Sequence, residues 1–423
     1  MGSREIDHFL ARLVAGYGGR VRLAVAEQHH DSSVFSPLGM WMLLAAATVG
    51  ARGGPHERLK SVVGCSAPRA QQLLDALLSD PPPALSVALA LWTRGELTSD
   101  EMMRWVRALP PGVQVGAMPS QEQADAWARQ NTLDLIQRFP SEVEHLVSCL
   151  VSAVATRVSW EDPFDTVDAD EALPGGSPWR GQVGQMLCAD HPQHAAIVQT
   201  EQAGTVAVLE ALAQEGIAVI CVSAAPDIPR TRVMDAAQQI AAHLGHETQL
   251  AGESLFNLPI GEGHSWSLTE RARPAWEAGQ RFERITRAVL PAWSIRSSTD
   301  LLADKRFGAG AALETLDTAT GVAGPADARQ EAVARFDRYG FEAAAITVVG
   351  TAVSALAPAS EMGIERVANL RFDHPFAAVA VGAQPRQASP ARWVGLPMFE
   401  AWVTSPVEPE SGRTRPRPAW ISE

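Results

Sequence analysis

The chain has 423 residues, 46% hydrophobic and 20% charged, which supplies a large buried core and rules out disorder throughout. Its 33 glycines and 29 prolines are neither collagen-like nor low-complexity, and a formal net charge of −13 argues against bulk binding to nucleic acid or an anionic membrane. Lys60 and Lys305 are the only lysines, so nearly all the positive charge is arginine, a compositional bias to which we attach no function.

The N-terminus is charged and has no apolar leader. The longest weakly polar run, residues 38–51, is too short to cross a bilayer, so a cytoplasmic protein is the default expectation. Ile6, Phe9, Leu10, Leu13 and Val14 follow the spacing of a buried helical stripe. Ser36-Pro37 opens a second helix, Ser as cap and Pro at the first helical position. Its run 41–47 is apolar on all sides, which predicts a central position. Gly50 and Gly53-Gly54 end it, and a short helix from Pro55 closes at Gly64.

Residues 85–92 alternate as a strand with one strongly apolar face. The pattern predicts a helix over 120–138, a long apolar strand over 146–158, a hairpin of 207–212 with 217–222, and a helix over 230–244. The last third reads as strands at 282–290, 331–349, 376–381 and 398–404, and 407–423 as a flexible tail. With no repeat and no linker, a single α+β domain over residues 1–406 is expected.

Cys65, Cys149, Cys188 and Cys221 form no CxxC pair and read as buried free thiols. Cys188, His191 and His194 have a metal-like spacing but no evident fourth ligand, so no metal is expected; His29-His30 and His243/His246 read as surface residues. Nucleophile-elbow, zinc-protease, Walker and dinucleotide motifs are all missing, so an enzyme has no support and no cofactor is expected.

Residues 339–350 stand apart. Gly340 is followed by small residues, then by a Gly-, Pro-, Ser- and Ala-rich stretch to 371, as in a segment that must fit somewhere tight or move. Strand parity puts Phe341, Ala343, Ala345, Thr347 and Val349 on one face, and Gly340, Glu342, Ala344, Ile346 and Val348 on the other. Glu342 needs water, so the Phe341 set is the inward one.

Several stretches in chain order resemble the serpin family: Ser36-Pro37-Leu38 with Gly50-Ala51-Arg52-Gly53; the strand at 85–92; Ala126-Trp127-Ala128 with Thr132; Leu150-Val151-Ser152-Ala153 with Trp160 and Pro163-Phe164-Asp165; Val289-Leu290-Pro291 with Ser297 to Leu301; Gly340 with Glu342 to Ala345; and Asp373-His374-Pro375-Phe376. The resemblance, taken as one to a bacterial member, implies an α+β serpin fold of about nine helices and three β-sheets with an exposed reactive-centre loop. It further implies a monomer that catalyses nothing: a serine protease cuts the loop, and the freed hinge enters the central sheet as an added strand of a metastable fold.

By the same resemblance the hinge is Gly340, Phe341, Glu342, Ala343, Ala344, Ala345 and Thr347, and the sheet-opening region is Ser36, Ser152, Trp160 and Gln330, with Trp160 near the top of the central sheet. Counting from Gly340 puts the scissile bond at Ser354-Ala355, with Leu356 as an alternative. No Arg or Lys lies between Phe341 and Glu365, so elastase-, subtilisin- or chymotrypsin-like proteases are the expected targets.

Departures from the family pattern favour the alternative, a non-inhibitory binding, carrier or chaperone-like serpin. Phe341 replaces a small inward residue, at about 1–3 kcal/mol of overpacking if the slot is tight, so Phe341→Thr is expected to ease insertion. Arg338 replaces a Glu, and Gly39 a Ser. Gln330 and Ser152 replace a His–Asn pair and are expected to bond each other less rigidly. The loop before Pro375 is long, and residues 346–370 are expected to be exposed.

Overall fold

The computed structural model describes residues 3–82, 84–94, 99–190, 192, 195–244, 254–274, 282–322, 327–341, 362–384 and 393–409. Nine α-helices lie among them: α1 (Ser3–Gln28), α2 (Pro37–Gly50), α3 (Gly53–Val63), α4 (Ala67–Ser79), α5 (Asp100–Ala108), α6 (Gln121–Asn131), α7 (Ala169–Ala172), α8 (Arg230–Leu244) and α9 (Ala309–Thr320). The strands of the first half are β1 (Ser33–Phe35), β2 (Leu85–Thr93), β3 (Gln114–Ala117), β4 (Ser148–Thr156), β5 (Val158–Ser159), β6 (Asp165–Asp168), β7 (Gln185–Asp190), β8 (Ala195–Thr200), β9 (Gly204–Leu212) and β10 (Ile217–Ser223). Those of the second half are β11 (Gly261–Glu262), β12 (Trp266–Pro274), β13 (Phe282–Leu290), β14 (Trp293–Asp300), β15 (Arg329–Asp337), β16 (Gly340–Phe341), β17 (Met362–Arg371), β18 (Phe376–Gly382) and β19 (Pro397–Val403).

Helix α2 is the hub, as its all-round apolar sequence requires. Ser36 caps it by accepting the Gly39 N–H, and twelve of its fourteen residues are buried. One six-stranded sheet, β1-β19-β18-β10-β9-β8, holds the predicted hairpin, with Leu212 opposite Ala218. A second, β11-β12-β17-β13-β7-β6, places β17 between two neighbours. The remaining strands form β3-β2-β4 and β14-β15-β16-β5. Since β4 runs through Arg157 straight into β5, these are two halves of one sheet, joined at the top and parted below.

Several expectations need correction. The helix predicted over 120–138 ends at Asn131, because Leu133 and Asp134 take positive φ (54° and 62°). The strand predicted over 331–349 turns at Arg338-Tyr339 and comes back as β16, so Asp337 pairs with Gly340. Residues 362–370, expected to be loop, belong to β17. The expected tail is attached at its start: the Val407 N–H bonds the Ala292 carbonyl, and Glu408 accepts the Gly184 N–H. His29, read as surface, is half-buried and bonds Thr299. Among the described residues no helix is long and apolar enough to cross a membrane.

Candidate functional site

The parted sheet defines the site. Below β16, the edges of β4 and β15 face each other across a cavity of about 140 Å³. Its floor comes from α2 and α9, through Gly39, Met40 and Leu316, and its cover from Trp127, Ile136 and Phe139 of α6 and the segment after it. Backbone N–H and C=O groups along a strand edge call for partners, so two facing edges with apolar walls suit one extended chain.

The waist of the slot is set by Gln330 and Ser152. They do not bond each other as expected; each holds the start of α2. Gln330 Oε1 accepts the Ser36 N–H (2.9 Å) and Nε2 donates to the Ser36 carbonyl (3.0 Å). Ser152 Oγ donates to the Gly39 carbonyl at 2.6 Å, and Ser36 Oγ to the Met398 carbonyl at 2.8 Å. A Cβ on Gly39 would lie 3.3 Å from Ser36 Oγ and 3.5 Å from Gln330 Nε2, which is why glycine suits this crowded spot.

At the top, Trp160 lies beneath the turn from β15 to β16. It is 1% exposed, donates from Nε1 to the Asp337 carbonyl (2.9 Å), and packs on Phe336 with ring centroids 4.7 Å apart. Arg338 reaches down from the turn to the Phe164 carbonyl (2.8 Å) and the Asp165 carboxylate (3.4 Å), a bracing role the sequence did not signal. Phe341 faces inward as parity required, but its ring is already seated: 3% exposed, edge-on to Trp293 and Phe399. The overpacking expected of its entry therefore does not apply, and neither does the reason for expecting Phe341→Thr to ease insertion.

Ser223, His374 and Asp373 form a buried chain, with His374 Nδ1 2.7 Å from Asp373 and Nε2 3.1 Å from Ser223 Oγ. It resembles a hydrolytic triad in outline only. Nε2 also lies 2.7 Å from the Ala224 carbonyl, which can only accept, so this nitrogen carries a proton and cannot take one from Ser223. The arrangement is a clasp between β10 and the start of β18.

The serpin (serine protease inhibitor) family model matches residues 20–172. No curated protein matches. Among solved structures, Serpin48 of the insect Tenebrio molitor superposes with a TM-score of 0.58 at 16% identity, covering 94% of this chain and 98% of its own. Human kallistatin gives 0.62 at 15%, covering 97% and 100%, and human thyroxine-binding globulin gives 0.61 at 14%, covering 95% and 100%. The chain has the serpin fold.

Of the site residues expected from the serpin resemblance, Ser36, Gln330 and Ser152 converge on the slot's waist, and Trp160, Gly340 and Phe341 on its top. Glu342, Ala343, Ala344, Ala345 and Thr347, and the scissile candidates Ser354, Ala355 and Leu356, lie outside the described residues, as do His191, His194 and His246. Among the described residues no group of His, Cys, Asp or Glu is placed to hold a metal. The four cysteines are free; Cys65, Cys188 and Cys221 are buried, and Cys149 is half-buried. Sequence reasoning missed Phe336, Trp293 and Phe399, the rings around Phe341, because their partners come from three separate strands.

Proposed function

We propose that this protein is a protease inhibitor of the serpin type: a serine protease cuts the chain between Phe341 and Met362, and the residues after Phe341 then enter the slot. The carrying observation is the register of β16. It pairs with β15 as Phe336↔Phe341 and with β5 as Val158↔Phe341. Continued downward, the β15 ladder brings Ala343 and Ala345 opposite Ala334 and Ala332, the β5–β4 ladder brings them opposite Thr156 and Val154, and Thr347 comes opposite Gln330 on one side and Ser152 on the other. Small inward residues thus meet alanines on one wall and β-branched side chains on the other, and the one inward hydroxyl meets the polar waist. With no Arg or Lys from Glu342 to Ile364, a pocket carrying a buried carboxylate finds no partner, so the targets are elastase-, subtilisin- or chymotrypsin-like.

The test is incubation with a protease panel, scored for an SDS-stable covalent complex and for a rise in melting temperature after cutting. A complex with trypsin alone would overturn the target class. A second reading, a non-inhibitory binding protein, is favoured by the Gln330–Ser36 latch, which does not join the two halves of the sheet. Clean cleavage with neither complex nor rise in melting temperature would select it.

A further inference from the structure

We propose that residues 404–409, which follow β19, are a strap that ties the two halves of the parted sheet together at the top of the slot. The tie holds whether or not any segment ever enters the slot. Thr404 fixes the near end: its N–H donates to Ser32 Oγ (2.9 Å), and its carbonyl accepts the Trp179 indole N–H (3.0 Å). Val407 and Glu408 then grip two different parts of the fold. The Val407 N–H donates to the Ala292 carbonyl at 2.9 Å, in an antiparallel bridge. A carboxylate oxygen of Glu408 accepts the Gly184 N–H. Pro409, just beyond, is buried.

Ala292 leads straight into β14, the outer strand of the β14–β15 half. The next residue, Trp293, stacks on Phe336 with centroids 5.9 Å apart and meets Phe341 edge-on at 6.1 Å. As an outer strand, β14 is bonded along one edge by β15, so a hold on the residue before it restrains fraying at the top. Gly184 belongs to the other half. Its carbonyl accepts the Ala169 N–H (2.9 Å), beside the Asp168↔Gln185 pair of β6 and β7. β6 continues the β4–β5 half through Trp160 and Phe164, and the Phe164 ring packs on Phe336 at 5.5 Å. The seam between the halves is closed by the Trp160 and Phe164 N–H groups, which donate to the Tyr339 and Arg338 carbonyls at 3.0 Å each. Two adjacent residues of the strap thus hold both sides of that seam. Parting the halves at the top strands the Ala292 carbonyl or the Gly184 N–H, and backbone groups without partners are costly.

The experiment is amide hydrogen exchange of the full, uncut chain, read at Trp160 and Phe164 on the seam and at Val219 and Ile220 in the middle of β10. Val407→Pro with Glu408→Ala removes both grips. In that variant the seam amides are expected to quicken at least about tenfold more than the β10 amides. Glu408→Ala alone should quicken the seam about threefold, whereas Glu408→Gln keeps an acceptor for the Gly184 N–H and should stay within about twofold of wild type. If the double variant does not fold, the comparison of Glu408→Ala with Glu408→Gln carries the test. Equal quickening at the seam and in β10 would make the segment a general brace and overturn the proposal. So would an unchanged seam in a folded double variant, or Glu408→Gln as harmful as Glu408→Ala. No cutting is involved, so failure here leaves the insertion reading untouched.

Discussion

Gln330 grips the backbone of Ser36 at both polar ends, accepting its N–H at 2.9 Å and donating to its carbonyl at 3.0 Å. The two ends are not equivalent. The Ser36 carbonyl also receives the Met40 N–H, whereas the Ser36 N–H has Gln330 as its acceptor. Gln330→Leu therefore strands a donor and is expected to cost about 1–3 kcal/mol, while Ser152→Ala removes one bond to a helical carbonyl and should cost about 0.5–1.5 kcal/mol. Urea unfolding of the two variants checks the order; Ser152→Ala proving the more damaging would contradict this account of the waist.

Phe341 anchors the chain at the top of the slot. Its ring is enclosed by Trp293, Phe399 and the paired Phe336, so Phe341→Ala should lower stability by about 3–5 kcal/mol. The residue keeps its place in β16 whether or not the chain beyond it inserts, so the loss should be similar before and after nicking. A loss confined to the intact form would mean that Phe341 holds the loop out of the slot.

The hub of this fold was legible because Ser36-Pro37 and an all-apolar run can hardly be anything but a buried helix. The helices α4, α5 and α9 are missing from the sequence-based expectation, although in α4 Ala70, Leu73, Leu74 and Leu77 carry the helical spacing. Two errors had physical causes beyond the local sequence. The alternation of 331–349 runs on through the turn at Arg338, which is fixed by bonds to Phe164 and Asp165, 174 and 173 residues away in sequence. β17 read as loop because it continues a Gly-, Pro-, Ser- and Ala-rich stretch through Gly363, and the arginine that makes the burial of Glu365 tolerable lies 94 residues upstream. The slot itself is a space between strands, which no residue pattern announces.

His374 gives the clasp a pH dependence. Burial disfavours its charged form, but the bonds to Asp373 and the Ala224 carbonyl and the charge of Asp373 outweigh it, so its pKa lies above the ordinary 6.5. A raised pKa means stability fully present below about 6.5 and lost as pH climbs through the folded value. The neighbouring His264 has the opposite sign: burial and the charge of His374 hold its pKa down, so its contribution is lost as pH falls. In a His264→Gln background, the stability difference between His374 and His374→Gln should be largest at acid pH and shrink toward alkaline pH. A difference that does not vary with pH would mean that folding leaves the imidazole's pKa unshifted, and one that grows toward alkaline pH would mean that the imidazole is held neutral in the fold.

Arg22 and Glu400 form a buried ion pair between α1 and β19. Glu400, fully buried on β19, takes a two-pronged bond from Arg22 of α1, at 2.6 Å and 3.0 Å, while Arg22 also reaches Asp235 of α8 at 2.5 Å. Gly18 makes room for it, since a Cβ there would stand 2.7 Å from Glu400 Oε1. Removing the arginine leaves a carboxylate charge in the core, so Arg22→Met should cost about 3–5 kcal/mol, whereas adding Glu400→Met removes that charge and should recover most of the loss. Denaturant unfolding of the two singles and the double decides it. Glu400 follows Met398 and Phe399, which touch Ser36 and Phe341, so Arg22→Met should also loosen the slot. Hydrogen exchange at the Ser36 and Gly39 amides should quicken in Arg22→Met and return toward wild type in the double variant; exchange there unchanged by Arg22→Met would confine the ion pair to anchoring α1.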